Sequence, residues 1–461
     1  MYDIATGLTL ALAALSTRWL TGPPHSPRWA LWGGLGLGGT FVIAARLWLD
    51  AYAGMAAAAT AFIILVGAGV MHALAVQRRW PAYGMRVALC AVTVAGAVPR
   101  TIRFEMVADE ALLPDADYYR RQALATANPV AAGTKSPLWP AMNAPIVRLR
   151  PDDPAAMRVL SWAAGIGMLP MLAFALGRLL DPVVGVCVAG LCTFDSWLVH
   201  LCCEGLRDEF NLILWLAFAV SVFRTDGPRA WGWLWGGLIG GTLLLLRNTN
   251  LAALLVLWAC LAAARRWRWW QTGLFGVMPL IIASPFYVNQ WRRYGDPFAL
   301  ERRDARFYVN AEFGAGRRTP VRPVPMPTES QRLADPFAGP PVSPFDYLVR
   351  VRPWREALGN QFRGLCRILL GLEFGWRPPG WFGVLCAAGL AGLLVLPARW
   401  APLFVLGSGL GMQAHLAAIG LLEERHILQA YPFWLAGGVS LLVFAARAGL
   451  QRAARTTRSE G

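Results

Sequence analysis

The sequence predicts an all-α polytopic membrane protein, and three observations predict it. Of the 461 residues, 56% are hydrophobic and only 15% are charged, whereas a soluble domain carries about 25% charged residues. The apolar residues fall in repeated runs of about 17–22, the length that crosses a bilayer as a helix. Arginines flank these runs on alternate sides, as the positive-inside rule requires of a chain that threads a membrane.

The runs, in order, are 4–20, 29–49, 54–76, 84–100, 156–178, 181–200, 209–224, 230–247, 250–264, 271–289, 380–397, 400–421 and 430–449. About thirteen spans result, and an odd number puts the termini on opposite sides. Arg78 and Arg79, Arg224 with Arg229, Arg265, Arg266 and Arg268, Arg399, and the tail Arg447, Arg452, Arg455 and Arg458 then share one side, which is cytoplasmic. The chain divides into a three-span extension (1–83), a membrane core (84–449) and a basic cytoplasmic tail (450–461). The run 4–20 lacks a basic leader and is expected to be a retained span.

Two large loops fall outside the cell, 101–155 and 290–379, with shorter connections at 202–208 and 423–426. The long loop carries many arginines, but the rule counts short loops only. Its Pro-rich centre (Pro320, Pro323, Pro325, Pro327, Pro340, Pro341) is expected to be extended or mobile. The flank from Phe345 to Leu372 alternates apolar and basic residues, as a helix lying on the membrane would.

Composition also excludes. The net charge of +16 comes with no basic helix or zinc spacing that would indicate nucleic acid; arginines flanking spans account for it. The eight cysteines form no CxxC pair and no Cys/His metal pattern. The basic residues are almost all arginine, with Lys135 the only lysine, and Ala and Gly are abundant. That bias suggests a GC-rich bacterial coding sequence and hence a bacterial plasma membrane.

Every polar cluster able to carry chemistry lies on the outer side. In the first loop, Asp115 and Tyr119 stand four apart and share a helix face. Pro114 suits the start of such a helix, where carboxylates are favoured. Asp115 or Asp117 can take a proton from an attacking hydroxyl; an Asp capping a solvated helix gives the same pattern. Asp109 and Glu110 are rival carboxylates. Lys135 precedes Ser136-Pro137-Leu138-Trp139-Pro140, where prolines stiffen the chain and Trp139 suits an interface. Its ammonium can face a phosphate or simply snorkel. Glu204 and Asp208 form an i,i+4 pair at the outer end of a span, suited to one shared site or to a charged helix end. Arg247 opens the connection Arg247-Asn-Thr-Asn250, also near the outer face. Glu424-Arg425-His426 precedes the last span, and the planar fork of Arg425 suits a phosphate.

These motifs, in this order, resemble the membrane glycosyltransferases of the GT-C class, and most nearly the bacterial protein-mannosyltransferase-like and aminoarabinose-transferase-like enzymes. The family carries Asp-x-x-x-Tyr in its first outer loop, then a Lys-Pro-Pro-Leu-like segment and an acidic second loop. A Pro-Trp-x-x-Arg-Asn-Tyr-x-x-Phe-Gly-x-Pro-like stretch and an Arg-Tyr or Arg-His pair near a final proline follow. The chain reads Asp115-Ala-Asp-Tyr-Tyr119, Lys135-Ser-Pro-Leu138, Glu204-Gly-Leu-Arg-Asp208, Pro285 through Pro297, and Glu424-Arg-His426. It departs where Ala116 stands for a frequent Glu and Ser136 for the first Pro, and residues 1–83 lie outside the common pattern.

The resemblance implies transfer of a sugar from a polyprenyl-phosphate donor to an outer-face glycan, glycolipid or protein, with inversion at the anomeric carbon. Carried over, Asp115 is the base or sugar-orienting carboxylate and Asp117 its neighbour. Glu204 or Asp208 supplies the second acid. Lys135, Arg425 and His426 face the lipid phosphate, while Tyr119 and Arg247 line the substrate site. No cofactor is implied; a divalent metal is compatible but not required, because cationic side chains can do its electrostatic work. A transporter or flippase of a lipid-linked glycan is the rival reading. Transporters place ionisable residues within spans near the midplane, whereas here the acids gather at one face and Asp195 is the exception.

Overall fold

A computed structural model describes residues 82–131, 133, 136–193, 195–223, 232–263, 267–314, 320–343, 346–351 and 359, and parts of 432–443. The described residues are helical, with no strand among them. The expected spans 4–20, 29–49, 54–76, 380–397 and 400–421 lie outside them, as do Lys135, Arg425 and His426.

The first described helix, α1, runs Ala82–Val107. Two short helices follow, α2 (Pro114–Ala125) and α3 (Leu138–Leu149). The chain continues as α4, Pro154–Leu179, whose start is set by Asp153: its side chain accepts from Ala155 N at 2.8 Å, and Pro154 takes the first helical position. The expected span 181–200 is broken in two, α5 (Pro182–Thr193) and α6 (Ser196–Leu201). Asp195 causes the break, because its Oδ1 accepts from Leu198 N at 3.0 Å and so caps a new helix. Next come α7 (Asp208–Phe223), α8 (Gly232–Leu246), α9 (Asn250–Ala263) and α10 (Trp269–Tyr294). Gly295, left-handed at φ 70°, ends α10.

Two helices, Ala155–Leu179 and Trp269–Tyr294, are long and apolar enough to cross a membrane, and 182–193, 232–246 and 253–263 are shorter apolar helices. The exposed face of α10 has the pattern of a lipid contact. Trp269 and Trp270 mark one end, Trp291 and Tyr294 the other, and Leu274, Val277, Leu280, Ile281 and Val288 are exposed between them. Trp270 and Trp291 are about 31 Å apart at 1.5 Å per residue, close to the ~30 Å thickness of a hydrocarbon core. Aromatic side chains favour both membrane interfaces.

One apolar core joins α1, α4, α5, α7, α8, α9 and α10, and Phe433, Leu435, Ala436 and Val439 of the 430–449 segment pack into it. Glycines on α8 allow close helix approach. A Cβ added at Gly237 would fall 2.8 Å from Met278 Cβ of α10, and one at Gly241 would fall 2.5 Å from Ile282 Cβ. Small residues four apart form one face of a helix, which is how helices pack closely in lipid.

Over its described residues, the long loop after α10 is more ordered than its composition suggests. It contains two helices, α11 (Ala299–Phe313) and α12 (Glu329–Ala334). The Pro-rich stretch folds onto α11, where buried Arg306 donates to Pro325 O at 2.6 Å and to Ala338 O at 2.9 Å. Val309, Phe313, Val342 and Tyr347 share a small core there. The expected surface helix from Phe345 is described only at Asp346–Val351, as a single π turn, and at residue 359; the rest lies outside the described residues.

Candidate active site

One pole of the bundle is built from four pieces of chain. These are α2, α3, the turn 202–207 leading into α7, and the corner 247–249 between α8 and α9. Ala116, Tyr119, Trp139, Met157, Leu206 and Leu246 share one apolar cluster that holds these pieces together.

Two buried arginines fix the frame. Arg100 donates to Thr193 O at 2.9 Å and Cys192 O at 3.0 Å, closing the last turn of α5. Arg158 donates to the carbonyls of Ala108, Glu110 and Ala111 at 3.2, 2.9 and 3.2 Å. That pins the α1–α2 connection, in which Asp109 and Glu110 are themselves exposed.

Leu113 occupies the N-cap of α2 and Pro114 its first position, so Asp115 and Asp117 lie in the first turn. Asp115 therefore is not the cap. Ring and carboxylate share a face, with Tyr119 buried and Asp115 half-buried. The guanidinium of Arg207 lies 5.0 Å over the Tyr119 ring, which ties α2 to the acidic turn. Asp117 points elsewhere, pairing with Arg121 at 3.2 Å and Arg120 at 3.8 Å on a half-exposed flank.

Trp139 is buried rather than interfacial. It has no exposed surface, and its Nε1 donates to Gly205 O at 3.2 Å. The reason is geometric: Leu138 opens α3, a helix that folds back on α2 and turns this face inward. Gly205 is left-handed at φ 74°, and a Cβ there would lie 3.3 Å from Met157 and 3.4 Å from Ala116.

Glu204 and Asp208 are four apart but share no helix. Glu204 sits in the turn and α7 begins at Asp208. The left-handed Gly205 between them sends the two side chains to different partners. Glu204 Oε1 lies 3.4 Å from His200 Nε2 and 3.9 Å from Arg103 Nη2. Asp208 Oδ1 accepts from Arg247 Nη1 at 2.6 Å, each side chain only 4% exposed. Next to Asp208, Glu209 is fully buried, and neither of its carboxyl oxygens has a hydrogen-bond partner. Below it, Asn250 links Asn211 at 2.7 Å and Trp215 at 3.3 Å.

The chain on either side of Lys135 is tied to the same pole. Tyr118 Oη donates to Gly133 O at 3.1 Å, and Asn289 Nδ2 of α10 donates to Val130 O at 3.0 Å. A Cβ at Gly133 would meet Tyr294 Oη at 2.7 Å. The stretch Pro285–Pro297 therefore meets the loop that leads to Lys135. At the opposite corner Glu301 of α11 hydrogen-bonds the Asn248 side chain; burial pushes its carboxyl up from the ordinary value, Asp304 and Asp296 add to the rise, and that hydrogen bond opposes it.

Of the residues expected from sequence, the pole brings together Asp115, Tyr119, Glu204, Asp208 and Arg247, with Asp117 at its edge. Sequence reasoning missed Arg103, His200 and Glu209. Only His200 gave a usable signal, a polar residue at the end of an apolar run. Among the described residues, no group of three or more His, Cys, Asp or Glu side chains is arranged to hold a metal ion. No family model, curated protein or solved structure matches the chain.

Proposed function

We propose that the chain is an integral membrane glycosyltransferase of the GT-C kind, with about thirteen spans in a bacterial plasma membrane. It moves a sugar from a polyprenyl phosphate to an outer-face glycan, glycolipid or protein. The observation that carries the reading is that the helix bearing Asp115 is tied to the turn between Glu204 and Asp208, through Arg207 over the Tyr119 ring, with Trp139 bonded to Gly205 of that turn and Asp208 paired with Arg247.

Asp115 accepts the proton of the acceptor hydroxyl as that oxygen attacks the anomeric carbon in line. The bond from carbon to the phosphate oxygen breaks, and polyprenyl phosphate leaves with the electron pair. Lys135 and Arg425 offset the charge that grows on the phosphate. Tyr119 and Arg207 hold the helix that presents Asp115, and the Asp208–Arg247 pair forms the floor beneath. A flippase is the competing reading, and the fully buried Glu209 is the observation in its favour.

The test is sugar transfer in proteoliposomes by Asp109→Asn, Asp115→Asn and Asp117→Asn. A base contributes about 10²–10⁴-fold to rate, and a loss of that order is expected for Asp115→Asn alone. Asp117→Asn should be mild, because its carboxylate is engaged by Arg120 and Arg121 on the flank. A silent Asp115→Asn beside a dead Asp109→Asn moves the base to the α1–α2 connection. Silence in all three removes the first loop from the chemistry.

A further inference from the structure

Three charged or polar groups meet where the outer ends of α1 and α6 approach the acidic turn. Arg103 Nη2 lies 3.0 Å from His200 Nδ1, and His200 Nε2 lies 3.4 Å from Glu204 Oε1. Arg103 Nη2 is itself 3.9 Å from the same oxygen. Glu204 is buried, whereas the His200 ring is half exposed and closes over it.

The chemistry of the three groups fixes the proton. A guanidinium has five donors and no acceptor. The His200 nitrogen that faces Arg103 must therefore be the bare one, and the ring proton is left on Nε2, the edge turned towards Glu204. A doubly protonated ring would set N–H against N–H at 3.0 Å. Arg158, from α4, also faces Glu204, and it faces Glu110 as well. It is committed to three backbone carbonyls. His200 and Arg103 are thus the pair placed to aim the Glu204 carboxylate.

We propose that His200 is a positioning residue for Glu204, held in its Nε2–H tautomer by Arg103. The inference rests on the reading of Glu204 as an acid of the sugar-transfer site. Removing the ring frees the carboxylate to swing about its own torsions. A displacement of about 1 Å in a reacting group costs on the order of 10²-fold in rate.

The experiment uses the full chain in proteoliposomes with a panel of polyprenyl-phosphate hexoses and pentoses. His200→Ala should lower kcat on the order of 10²-fold with the donor KM unchanged. His200→Gln should recover most of the loss, because its amide oxygen accepts from Arg103 and its amide nitrogen donates to Glu204. The double variant with His200→Ala and Glu204→Gln should be no slower than Glu204→Gln alone. An unimpaired His200→Ala, or a His200→Gln as slow as His200→Ala, overturns the proposal. If the wild-type protein transfers sugar from no donor, the glycosyltransferase reading fails on its own. Thermal unfolding then decides the relay through a double-mutant cycle of Arg103→Ala and Glu204→Ala. Because Arg103 also faces Glu204 directly at 3.9 Å, some coupling survives without the ring: coupling that falls with His200→Ala and returns to the wild-type value with His200→Gln sustains the relay, and coupling unchanged by His200→Ala overturns it.

Discussion

Replacing Arg247 by methionine strips Asp208 of its guanidinium while leaving the carboxylate enclosed. At 2.6 Å and an effective dielectric of about 20, the attraction between two unit charges is about 6 kcal/mol. Desolvating each ion costs several kcal/mol, so the intact pair is close to balanced. The single variants are not balanced, because each leaves a charge without its counter-ion where both side chains are only 4% exposed. Arg247→Met and Asp208→Asn should each destabilise by about 3–5 kcal/mol if the other partner stays charged. Replacing both, Asp208→Leu with Arg247→Met, should restore stability or raise it by about 1–4 kcal/mol. Unfolding in mixed micelles by SDS titration measures all three. Single variants costing less than about 1 kcal/mol, the level of an exposed pair, would refute the buried-pair argument. The double variant also separates roles: a stable protein that still transfers sugar places both residues outside the chemistry.

Two further outcomes are expected. Ser330 lies exposed in α12, so a cysteine there should react with an impermeant thiol reagent from outside intact cells, and a cysteine at Ser459 should not; the opposite pattern reverses the orientation. Glu301→Gln should match the wild type in stability at about pH 4 and exceed it at about pH 7. A carboxyl whose folded value is raised gives stability that is complete below its unfolded value and is lost as pH climbs through the folded one. Thermal unfolding at the two values checks this, and a gain no larger at neutral pH than in acid refutes it.

The parts of the fold legible in the sequence were those written in long apolar runs. The spans expected at 84–100, 156–178, 209–224, 230–247, 250–264 and 271–289 each correspond to a helix, with ends displaced by a few residues. The helix opening at Pro114 was legible for a local reason, proline at the first position followed by carboxylates. What escaped depended on distance along the chain. Asp208 and Arg247 are 39 apart, and Arg103 and His200 are 97 apart, so nothing in either neighbourhood announces the partner. Trp139 was misplaced because its environment is made by Gly205, 66 residues later. The i,i+4 spacing of Glu204 and Asp208 misled because periodicity assumes a helix, and a left-handed glycine cancels it.

The glycines of α8 have a mechanical consequence for the pole. In a bilayer, lipid would supply no hydrophobic pressure between these helices, so their separation would be set by how closely backbones can touch. Gly237 and Gly241 therefore act as the closed jaws of a calliper between α8 and α10. The tips of that calliper are Arg247, just beyond α8, and Asn289 with Tyr294 on α10, against the loop that leads to Lys135. A methyl group added at Gly241 has no flexible chain end to displace, since it meets the branched Cβ of Ile282. The strain would travel up both helices and spread the tips. The spacing of these two helix ends is thus written in the turns before them, in residues that carry no side chain at all.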